Sequence, residues 1–414
     1  MRKTRSIKRN LSSSVIPPYR IAPERNLRPA YAIDKRVAKI PIIDLKAQYK
    51  TIRKELQQAI DEVLESQQFI LGDVVEKFES DAAAYLGAKH AIGVASGSDA
   101  LLVSLMALGV GAGDSVIVPT FTFVATATAV ARLGATPVFA DVEPESFLIS
   151  LKQIEMLLAD KKTAARVKAI IPVHLFGQMC AMKEIAALAR KHRVNVVEDA
   201  AQAFGARDGG KAAGTLGDLG CYSFFPTKNL GGVGDGGLVS SDDAALAEKI
   251  RVLRAHGEGA KYRHDVIGVN SRLDAIQAAA LSVKLRRADR WCAARRERAV
   301  YYGKLFHEQK LLGRGVKSVP DAREPAHAFN YYVIRAERRD ALKNHLAAAG
   351  IQAEIYYPTP LHLQPCFSRL GYRRGDFPVA EKAAEEVLAL PLYPELTDAQ
   401  QAAVVECVAA FYRR

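Results

Sequence analysis

The sequence predicts an α/β fold in which helices cover a large, mainly parallel β-sheet, followed by a smaller C-terminal α+β domain. From about residue 40 onward, short apolar runs rich in β-branched residues alternate with helical patterns, which is typical of parallel sheets. Polar residues collect where several of these strands end. Open parallel sheets bind their ligands at that edge, so the sequence also predicts where a functional site lies.

The individual elements are predicted in chain order from their periodicity. Helices are predicted at residues 98–108, 122–132 and 181–191, and strands at residues 115–118, 136–140, 168–173 and 195–197. A long helical pattern at residues 271–291, with Ser271 placed to cap it, leads into the second domain. That domain is predicted to contain a strand at residues 331–335 and helices at residues 339–349, 380–388 and 398–412.

The length of 414 residues exceeds that of one ordinary core, so residues 40–290 are assigned to the large domain and residues 291–414 to the small one. A hydrophobic content of 49% and a charged content of 25% indicate a globular protein. No window approaches the roughly 18 uncharged apolar residues of a membrane-spanning helix. The five cysteines are scattered without a C-x-x-C pair, which disfavours a disulfide framework or metal site and favours the cytoplasm.

The net charge of +13 is concentrated near the N-terminus. Residues 1–40 contain eleven Lys or Arg and two Asp or Glu, which leaves only +4 for the rest of the chain. We interpret residues 1–39 as a basic, flexible extension. Its composition leaves a transit peptide open, although an extended start is the simpler interpretation. Because the remaining charge is modest and no DNA-reading module is recognised, nucleic-acid binding is not expected.

The segment SFFPTKNLGGVGDGG places one lysine, Lys228, directly before a glycine-rich run. A lysine that forms a Schiff base must lie close to its cofactor, and glycines let the main chain approach that cofactor. Spacing alone does not distinguish this role from that of a surface lysine beside a loop.

The segment VVEDAAQAFGA places Asp199 at the end of a buried strand, where its charge requires a partner. A protonated pyridine nitrogen would be such a partner, because the ion pair keeps the ring electron-withdrawing, and Gln202 would then face the ring hydroxyl. The alternative is that Asp199 caps the next helix. Glu198 is expected to point away from the site, because side chains alternate along a strand.

Two further segments fit a flat, phosphorylated cofactor. Gly97, Ser98 and Asp99 open a helix, whose free N–H groups and dipole can bind a phosphate, although Ser or Asp at a helix start is also an ordinary cap. Phe123 lies at the head of the next helix just after a strand. There its ring can stack on a cofactor or belong to the core.

Polar residues also interrupt the apolar segment IGVNSRLDAIQAA. Asn270 and Arg272 are candidates for ligand contacts, and the alternative is a helix cap and a surface arginine. The stretches YYPTPLH and LPLYPEL are predicted to be ordered loops. The sequence leaves open whether His362 in the first of them is functional or packs in the core.

Together these segments resemble the DegT/StrS family of sugar aminotransferases. The resemblance is carried by GSDAL, PTFTFVATA, EDAAQAFGA, SFFPTKNLGGVGDGG and NSRLDAIQAA in this order, with YYPTPLH, GDFPVAEKAAEEVLALPLYPEL and the opening IDLKAQY. It runs from about residue 40 to the C-terminus and does not include the basic extension. It implies the fold type I architecture of aspartate aminotransferase, pyridoxal 5′-phosphate (PLP) as cofactor, and a homodimer whose active sites contain residues from both chains.

The resemblance assigns roles around the PLP ring. Lys228 resembles the lysine that holds PLP as a Schiff base and moves the proton between the substrate carbon and the cofactor carbon. Asp199 matches the acid paired with the pyridine nitrogen, and Gln202 matches the residue beside the ring oxygen. Phe123 occupies the place of the aromatic residue stacked on the ring.

The resemblance also implies how the phosphate and the substrate are bound. Ser98 and Asp99 match the backbone of the phosphate site, and Ser223 adds its hydroxyl. Asn270 matches a phosphate ligand that the neighbouring chain supplies. Arg272 matches a residue of the partner chain that approaches the sugar nucleotide.

The resemblance implies transfer of an amino group, with L-glutamate as donor, to a nucleotide-linked keto-sugar in amino-sugar or polysaccharide biosynthesis. NSRLD is closest to members acting on 3-keto sugars, which favours these over 4-keto sugars. Relatives with histidine at the lysine position are dehydratases, so Lys228 disfavours the alternative of a PLP-dependent dehydration or aromatisation. A non-enzymatic regulator that uses the basic extension is a remote alternative, and neither a nucleic acid nor a membrane is an expected partner.

Overall fold

The computed structural model describes residues 39–321 and 326–413, so the predicted extension lies outside the described residues except for Lys39. The helices are α1 (Leu45–Ser66), α2 (Asp73–Leu86), α3 (Gly97–Ala107), α4 (Ala125–Arg132), α5 (Leu151–Ala159), α6 (Lys161–Ala164), α7 (Met182–His192), α8 (Ala244–Arg254), α9 (Ala275–Leu285), α10 (Ala288–Glu308), α11 (Arg339–Ala348), α12 (Pro378–Glu386) and α13 (Asp398–Tyr412). The strands are β1 (His90–Val94), β2 (Ser115–Pro119), β3 (Thr136–Ala140), β4 (Val167–Ile170), β5 (Asn195–Asp199), β6 (Arg207–Asp208), β7 (Lys211–Ala212), β8 (Leu219–Ser223), β9 (Gly237–Ser241), β10 (Glu258–Ala260), β11 (Arg263–His264), β12 (Val316–Ser318), β13 (Tyr332–Ala336) and β14 (Val387–Leu390).

A seven-stranded sheet forms the centre of the fold, in the order β1-β9-β8-β5-β4-β2-β3. The strands from β8 to β3 pair in parallel, whereas β9 is antiparallel to both of its neighbours. Strand β2 is buried along its whole length, as is typical of a parallel strand covered on both faces. Apolar side chains of α3, α4 and α7 share one hydrophobic cluster with these strands, and those of α2 and α9 form another. The predicted α/β fold with a mainly parallel sheet is confirmed.

A smaller sheet lies in the C-terminal part of the chain, with the antiparallel order β12-β13-β14. It shares a separate hydrophobic cluster with α10, α11 and α13, which includes Tyr302, Tyr332 and Val408. Arg295 of α10 is buried, and its guanidinium donates to the main-chain oxygen of Leu392. The domain boundary placed near residue 290 falls within α10 and stays a prediction. None of the described helices is long and apolar enough to cross a membrane.

Two helices before the small sheet differ from the prediction. The helix expected from residue 122 begins at Ala125, because the chain still turns away from β2 at residues 120–122. The continuous helix expected at residues 271–291 is wrong, since α9 and α10 are separated at Arg286 and Arg287. Ser271 does not cap it. Asp274 precedes the first residue of α9, and the Ser271 side chain is used elsewhere.

The helix predicted at residues 380–388 also ends early. Glu386 is its last residue, and residues 387–390 form β14 instead. All four side chains of β14 are buried, and its main chain pairs with β13. Sheet pairing therefore overrides the helical pattern at these positions.

Candidate active site

Most of the predicted site residues lie at the ends of neighbouring strands of the large sheet. Asp199 ends β5 and Ser223 ends β8, and these two strands pair in parallel. The start of α3 packs closely on Ser223, because a Cβ atom on Gly97 would lie 2.6 Å from the Cβ of Ser223. Position 97 therefore requires glycine. The topology brings the two strand ends and the start of α3 to one edge of the sheet.

Asp199 is buried with few donors around its charge. Thr126 donates its hydroxyl to Asp199 Oδ2 at 2.8 Å, and the N–H of Ala201 donates to Oδ1 at 3.2 Å. Burial raises the pKa of this carboxyl, although the Thr126 hydrogen bond and the nearby Lys228 charge oppose that shift. A buried carboxylate in this situation favours a further cationic partner.

Lys228 lies in the loop after β8, where its main-chain N–H donates to the oxygen of Phe225 at 2.9 Å. Burial lowers the pKa of its amine to about 8, and the charge of Asp199 opposes the shift. A lowered pKa increases the fraction of neutral amine near neutral pH, and the neutral amine is the nucleophile that attacks a carbonyl carbon.

The first turn of α3 offers a site for an anion. Ser96 precedes the helix, and its hydroxyl accepts from the N–H of Asp99 at 3.1 Å, while its main-chain oxygen accepts from Ala100 at 2.9 Å. The first N–H groups of a helix have no partner inside it, so the amides of Gly97 and Ser98 stay available. They point out of the positive end of the helix dipole, where a phosphate is stabilised.

Asp99 differs from Gly97 and Ser98 because its amide is not available to a ligand. Its amide is already bonded to Ser96, and its carboxylate accepts from the hydroxyl of Ser271 at 3.0 Å. Ser271 also accepts from the N–H of Ala95 at 3.2 Å. Asp99 thus ties the start of α3 to the segment before α9, and its predicted direct contact with a phosphate stays a prediction.

Phe123 and Gln202 lie around one tyrosine of the predicted loop YYPTPLH. The ring of Phe123 is 53% exposed, and its centroid lies 6.1 Å from that of Tyr357. Gln202 donates its amide N–H to the Tyr357 hydroxyl at 3.0 Å and accepts from the N–H of Phe176 at 2.6 Å. These two hydrogen bonds fix the orientation of Gln202. One face of the exposed Phe123 ring is available to stack on a flat ligand.

Asn270 and Arg272 flank Ser271, which contacts Asp99, but they have other surroundings. Asn270 is exposed and forms a β-bridge with Ala255, and Arg272 is half-buried with its Nε unbonded within the described residues. None of the hydrogen bonds in the described part of the chain joins either residue to Lys228 or Asp199. Their predicted contribution to a neighbouring chain's site stays a prediction.

Two polar residues near the site have structural roles. Glu198 is completely buried. Its carboxylate accepts hydrogen bonds from His174 Nε2 at 2.8 Å and from three main-chain amides of residues 214–217. The side chain therefore points away from Lys228, as strand alternation predicted. His362 is buried between Thr120 at 2.8 Å and Glu381 at 3.1 Å. It therefore packs the YYPTPLH loop against the turn after β2.

Sequence reasoning missed several residues that shape the site. Thr126 and Ser271 contact the two predicted aspartates, and Tyr357 contacts Gln202. Lys284 and Gln277 on α9 contact the loop after Lys228. The available signal was a lysine and a glutamine within the otherwise apolar helix AIQAAALSVKL, but periodicity does not reveal their partners.

These groups fit PLP. A largely desolvated lysine amine suits an aldehyde carbon, a buried carboxylate with an unmet charge suits a protonated pyridine nitrogen, and helix amides beside a serine hydroxyl suit a phosphate. The exposed ring of Phe123 suits stacking on the pyridine ring. Lys228, Asp199, Ser98 and Ser223 are accordingly the residues that would hold the cofactor.

Comparison with known proteins gives the same result. The family described as the DegT/DnrJ/EryC1/StrS aminotransferase family matches residues 50–409. The chain is 51% identical over 374 residues to the "pleiotropic regulatory protein" of Geobacillus stearothermophilus, covering 90% of this chain and 99% of that protein. It is 44% identical over 372 residues to UDP-N-acetyl-3-dehydro-alpha-D-glucosamine 3-aminotransferase of Acidithiobacillus ferrooxidans, with coverages of 89% and 97%. It is 42% identical over 376 residues to dTDP-3-amino-3,4,6-trideoxy-alpha-D-glucose transaminase of Streptomyces venezuelae, with coverages of 91% and 97%.

Two solved structures are similar over nearly the whole chain. DesV from S. venezuelae, in complex with a ketimine intermediate, superposes with a TM-score of 0.86 at 39% identity, covering 91% of this chain and 100% of that one. NtdA from Bacillus subtilis, with bound cofactor PMP, superposes with a TM-score of 0.83 at 30% identity, covering 92% and 87%. PMP is the amino form of PLP, which agrees with the fit of the residues described above.

Proposed function

The chain belongs to the DegT/DnrJ/EryC1/StrS aminotransferase family and is a PLP-dependent transaminase, and we propose that it aminates the keto group of a nucleotide-linked sugar with L-glutamate as donor. The observation that supports this chemistry is the proximity of Lys228 to Asp199 at the sheet edge where Ser223 packs on the start of α3, which would supply an amine, a pyridine partner and a phosphate site together. The acceptor class is supported by relatives at 44% and 42% identity whose names specify nucleotide sugars.

A 3-keto sugar is the proposed acceptor. Both of those relatives are named for amination at the third sugar carbon, which agrees with the resemblance of NSRLD to members that act on 3-keto sugars. A 4-keto sugar is the second candidate acceptor.

PLP, when bound, supplies an electron sink for the bonds around the substrate carbon. Lys228 Nζ would take the proton from the α-carbon of the donor and pass it to the cofactor, and with the keto-sugar it would move a proton in the opposite direction, to the sugar carbon. Its lowered pKa suits both transfers near neutral pH. Asp199 holds the ring nitrogen protonated, and Thr126 keeps the Asp199 carboxylate in one orientation. The amides at the start of α3 and the Ser223 hydroxyl would bind the phosphate of PLP.

We also propose that the enzyme works as a cytoplasmic homodimer. The hairpin β10–β11 and the residues after it expose apolar side chains, with Tyr262 85% and Ile267 92% exposed. This segment leads directly to the exposed Asn270. Exposed apolar side chains on a segment that ends at predicted ligand residues support contact with a second copy of the chain.

A panel experiment tests the proposed reaction. The purified protein is incubated with PLP, ¹⁵N-labelled L-glutamate and matched 3-keto and 4-keto nucleotide sugars, and both 2-oxoglutarate and ¹⁵N in the sugar are measured. We expect equimolar 2-oxoglutarate and labelled amino-sugar from a 3-keto acceptor, and neither product with Lys228→Ala. Loss of water from the sugar without nitrogen transfer would support the dehydratase alternative and contradict the proposal.

One relative's name favours a second candidate. The protein at 51% identity is named as a pleiotropic regulatory protein, and residues 1–39 are basic. That name does not say what the relative binds, and the 374-residue match covers 99% of that relative but only 90% of this chain, so nucleic-acid binding through residues 1–39 rests on their charge alone. A regulator that binds through these residues would lose the binding when residues 1–38 are removed. A transaminase would retain full turnover after the same truncation, which separates the two functions.

A further inference from the structure

Two side chains of α9 hold the glycine-rich loop that follows Lys228. The amine of Lys284 donates to the main-chain oxygens of Gly231 at 2.6 Å and Gly232 at 3.2 Å. The side-chain oxygen of Gln277 accepts from the N–H of Val233 at 2.8 Å. Together they fix three consecutive residues of the loop to one rigid helix, and we refer to Lys284 and Gln277 as the α9 clamp.

Lys284 is an unusual choice for a purely structural contact. It is only 6% exposed, and burial lowers the pKa of its amine to about 8. Among the residues that the structure describes, no carboxylate pairs with it. Burying an ammonium without a counter-charge costs free energy, so a lysine here is not the side chain that stability alone would favour.

The loop is also closed from its other sides. The N–H of Gly232 donates to the oxygen of Phe224 at 2.7 Å, and Asn229 donates its side-chain amide to the oxygen of Ala328 at 2.9 Å. A Cβ atom on Gly231 would lie 2.3 Å from the oxygen of Pro226, so the main chain is packed too closely there for any side chain. The main chain that follows Lys228 is therefore held at several points.

We propose that Lys284, with Gln277, is a positioning residue that sets where the Lys228 amine lies relative to the cofactor and the substrate carbon. The contact acts through the main chain, because Gly231 and Gly232 lie three and four residues after Lys228. This inference rests on Lys228 as the proposed reactive amine. A misplacement of reacting groups by a fraction of an ångström lowers a rate far more than it lowers binding.

Lys284→Met tests the proposal, because methionine has a similar length and lacks the donors. In PLP-loaded protein, we expect the single-turnover rate with glutamate to fall about 10- to 100-fold, with little change in the KM for glutamate. Borohydride fixation of PLP at Lys228, followed by peptide mass spectrometry, should slow in parallel. The melting temperature of the cofactor-free protein should stay within a few degrees, since the variant also removes the burial cost of the ammonium.

Arg286→Met is the matched control, because Arg286 lies one position beyond the end of the same helix and its side chain is 61% exposed. It should leave the turnover rate and the fixation rate unchanged. Gln277→Leu is the second clamp variant if Lys284→Met does not fold, and we expect it to slow both reactions about 3- to 10-fold. Wild-type rates in whichever clamp variant folds would overturn the proposal.

The same measurements separate this inference from the proposed function. Fixation at Lys228 requires only PLP and borohydride, whereas the single-turnover rate requires glutamate as donor. If borohydride links PLP to Lys228 in the wild-type protein but the protein does not react with glutamate, the proposed donor is wrong. The α9 clamp is then tested by comparing the fixation rates of the wild-type protein and the clamp variants.

Discussion

Two consecutive carboxylates on β5 differ in how many hydrogen bonds they accept. Glu198 and Asp199 are consecutive and both buried, at 0% and 5% exposure. Each oxygen of Glu198 accepts two hydrogen bonds, from His174 and from the main chain of residues 214–217. Asp199 accepts one hydrogen bond at each oxygen, from Thr126 and Ala201.

We interpret the difference as that between a structural carboxylate, Glu198, and one that needs a further partner, Asp199. Four donors satisfy Glu198, so it stabilises the fold without needing a ligand. Burial raises the pKa of Asp199 because its donors do not fully compensate for lost water. We therefore expect changes around Asp199 and Lys228 to affect the reaction, whereas changes at Glu198 should affect folding.

Removing the Lys228 amine should have the largest effect. In Lys228→Ala, turnover should fall by at least about 10³-fold, because the variant loses the amine that we propose bonds the cofactor and moves the proton. Steady-state kinetics and absorbance spectra of the PLP-loaded variant check this. Circular dichroism should show an unchanged fold, and full turnover in a folded Lys228→Ala protein would contradict the assigned role.

Asp199→Asn should have the next largest effect on the reaction. We expect turnover to fall about 10²–10³-fold, the size typical of losing one preorganised electrostatic contact. The free energy of unfolding of the cofactor-free protein should change by less than about 1 kcal/mol, because the loss of an acceptor is offset by relief of a buried charge. An Asp199→Asn enzyme with normal turnover would show that this carboxylate is not the pyridine partner.

Glu198→Gln should lower the stability of the protein and change turnover little, which is the reverse of the effect of Asp199→Asn. The amide N–H group of the new glutamine would face two donors that bond to a carboxylate oxygen in the native protein. We therefore expect the free energy of unfolding to fall by about 2–4 kcal/mol. Denaturant unfolding of the cofactor-free protein measures this loss. Below the melting range, turnover per folded molecule should fall less than about threefold, and a larger loss would give Glu198 a part in the reaction.

The pH dependence of stability should reveal the desolvated Lys228 amine. Its pKa is lowered to about 8, so between pH 8 and its usual value the unfolded chain binds more protons than the folded one. This group alone therefore makes the cofactor-free protein more stable as pH rises through that window, by about 1–3 kcal/mol. Lys228→Met should remove that increment when unfolding is compared at pH 7.5 and pH 10, and equal slopes in both proteins would contradict the assigned environment.

Thr126→Val should have the smallest effect. The variant removes the hydroxyl that donates to Asp199 Oδ2 at 2.8 Å and nearly preserves the side-chain volume. The Thr126 hydrogen bond lowers the pKa of Asp199, so its loss should weaken the hold on the pyridine nitrogen and slow turnover about 5- to 20-fold, or about 1–2 kcal/mol. Titration of PLP should show weaker binding, and unchanged affinity would argue against this route.

Local patterns predicted the central fold because they are set by nearby residues. Strand β3 has the bounds that the sequence indicated, and α3 begins one residue earlier than predicted. The periodicity did not locate the break between α9 and α10 at Arg286 and Arg287, and it assigned residues 387–388 to a helix although they pair with β13. Pairing with a distant strand is not encoded in the local period.

The site residues likewise divide into those with a local sequence signal and those whose contacts are distant in the chain. Lys228 and Asp199 could be named as candidates because a lysine before glycines and an acid after a strand are local features, and the family resemblance assigned their roles. Thr126 is 73 positions from Asp199, and Lys284 is 53 positions from Gly231, so no spacing rule pointed to either. Ser271 was interpreted as a helix cap because a serine before a helix usually is one, while its bond to Asp99 spans 172 positions.

The most direct test of the account is to map where PLP attaches. The protein is loaded with PLP, reduced with borohydride and digested, and the modified peptides are identified by mass spectrometry. We expect one modification per chain, at Lys228, with Asp199→Asn reducing its yield and Glu198→Gln leaving it unchanged. A modification spread over surface lysines, or concentrated at another residue, would contradict it.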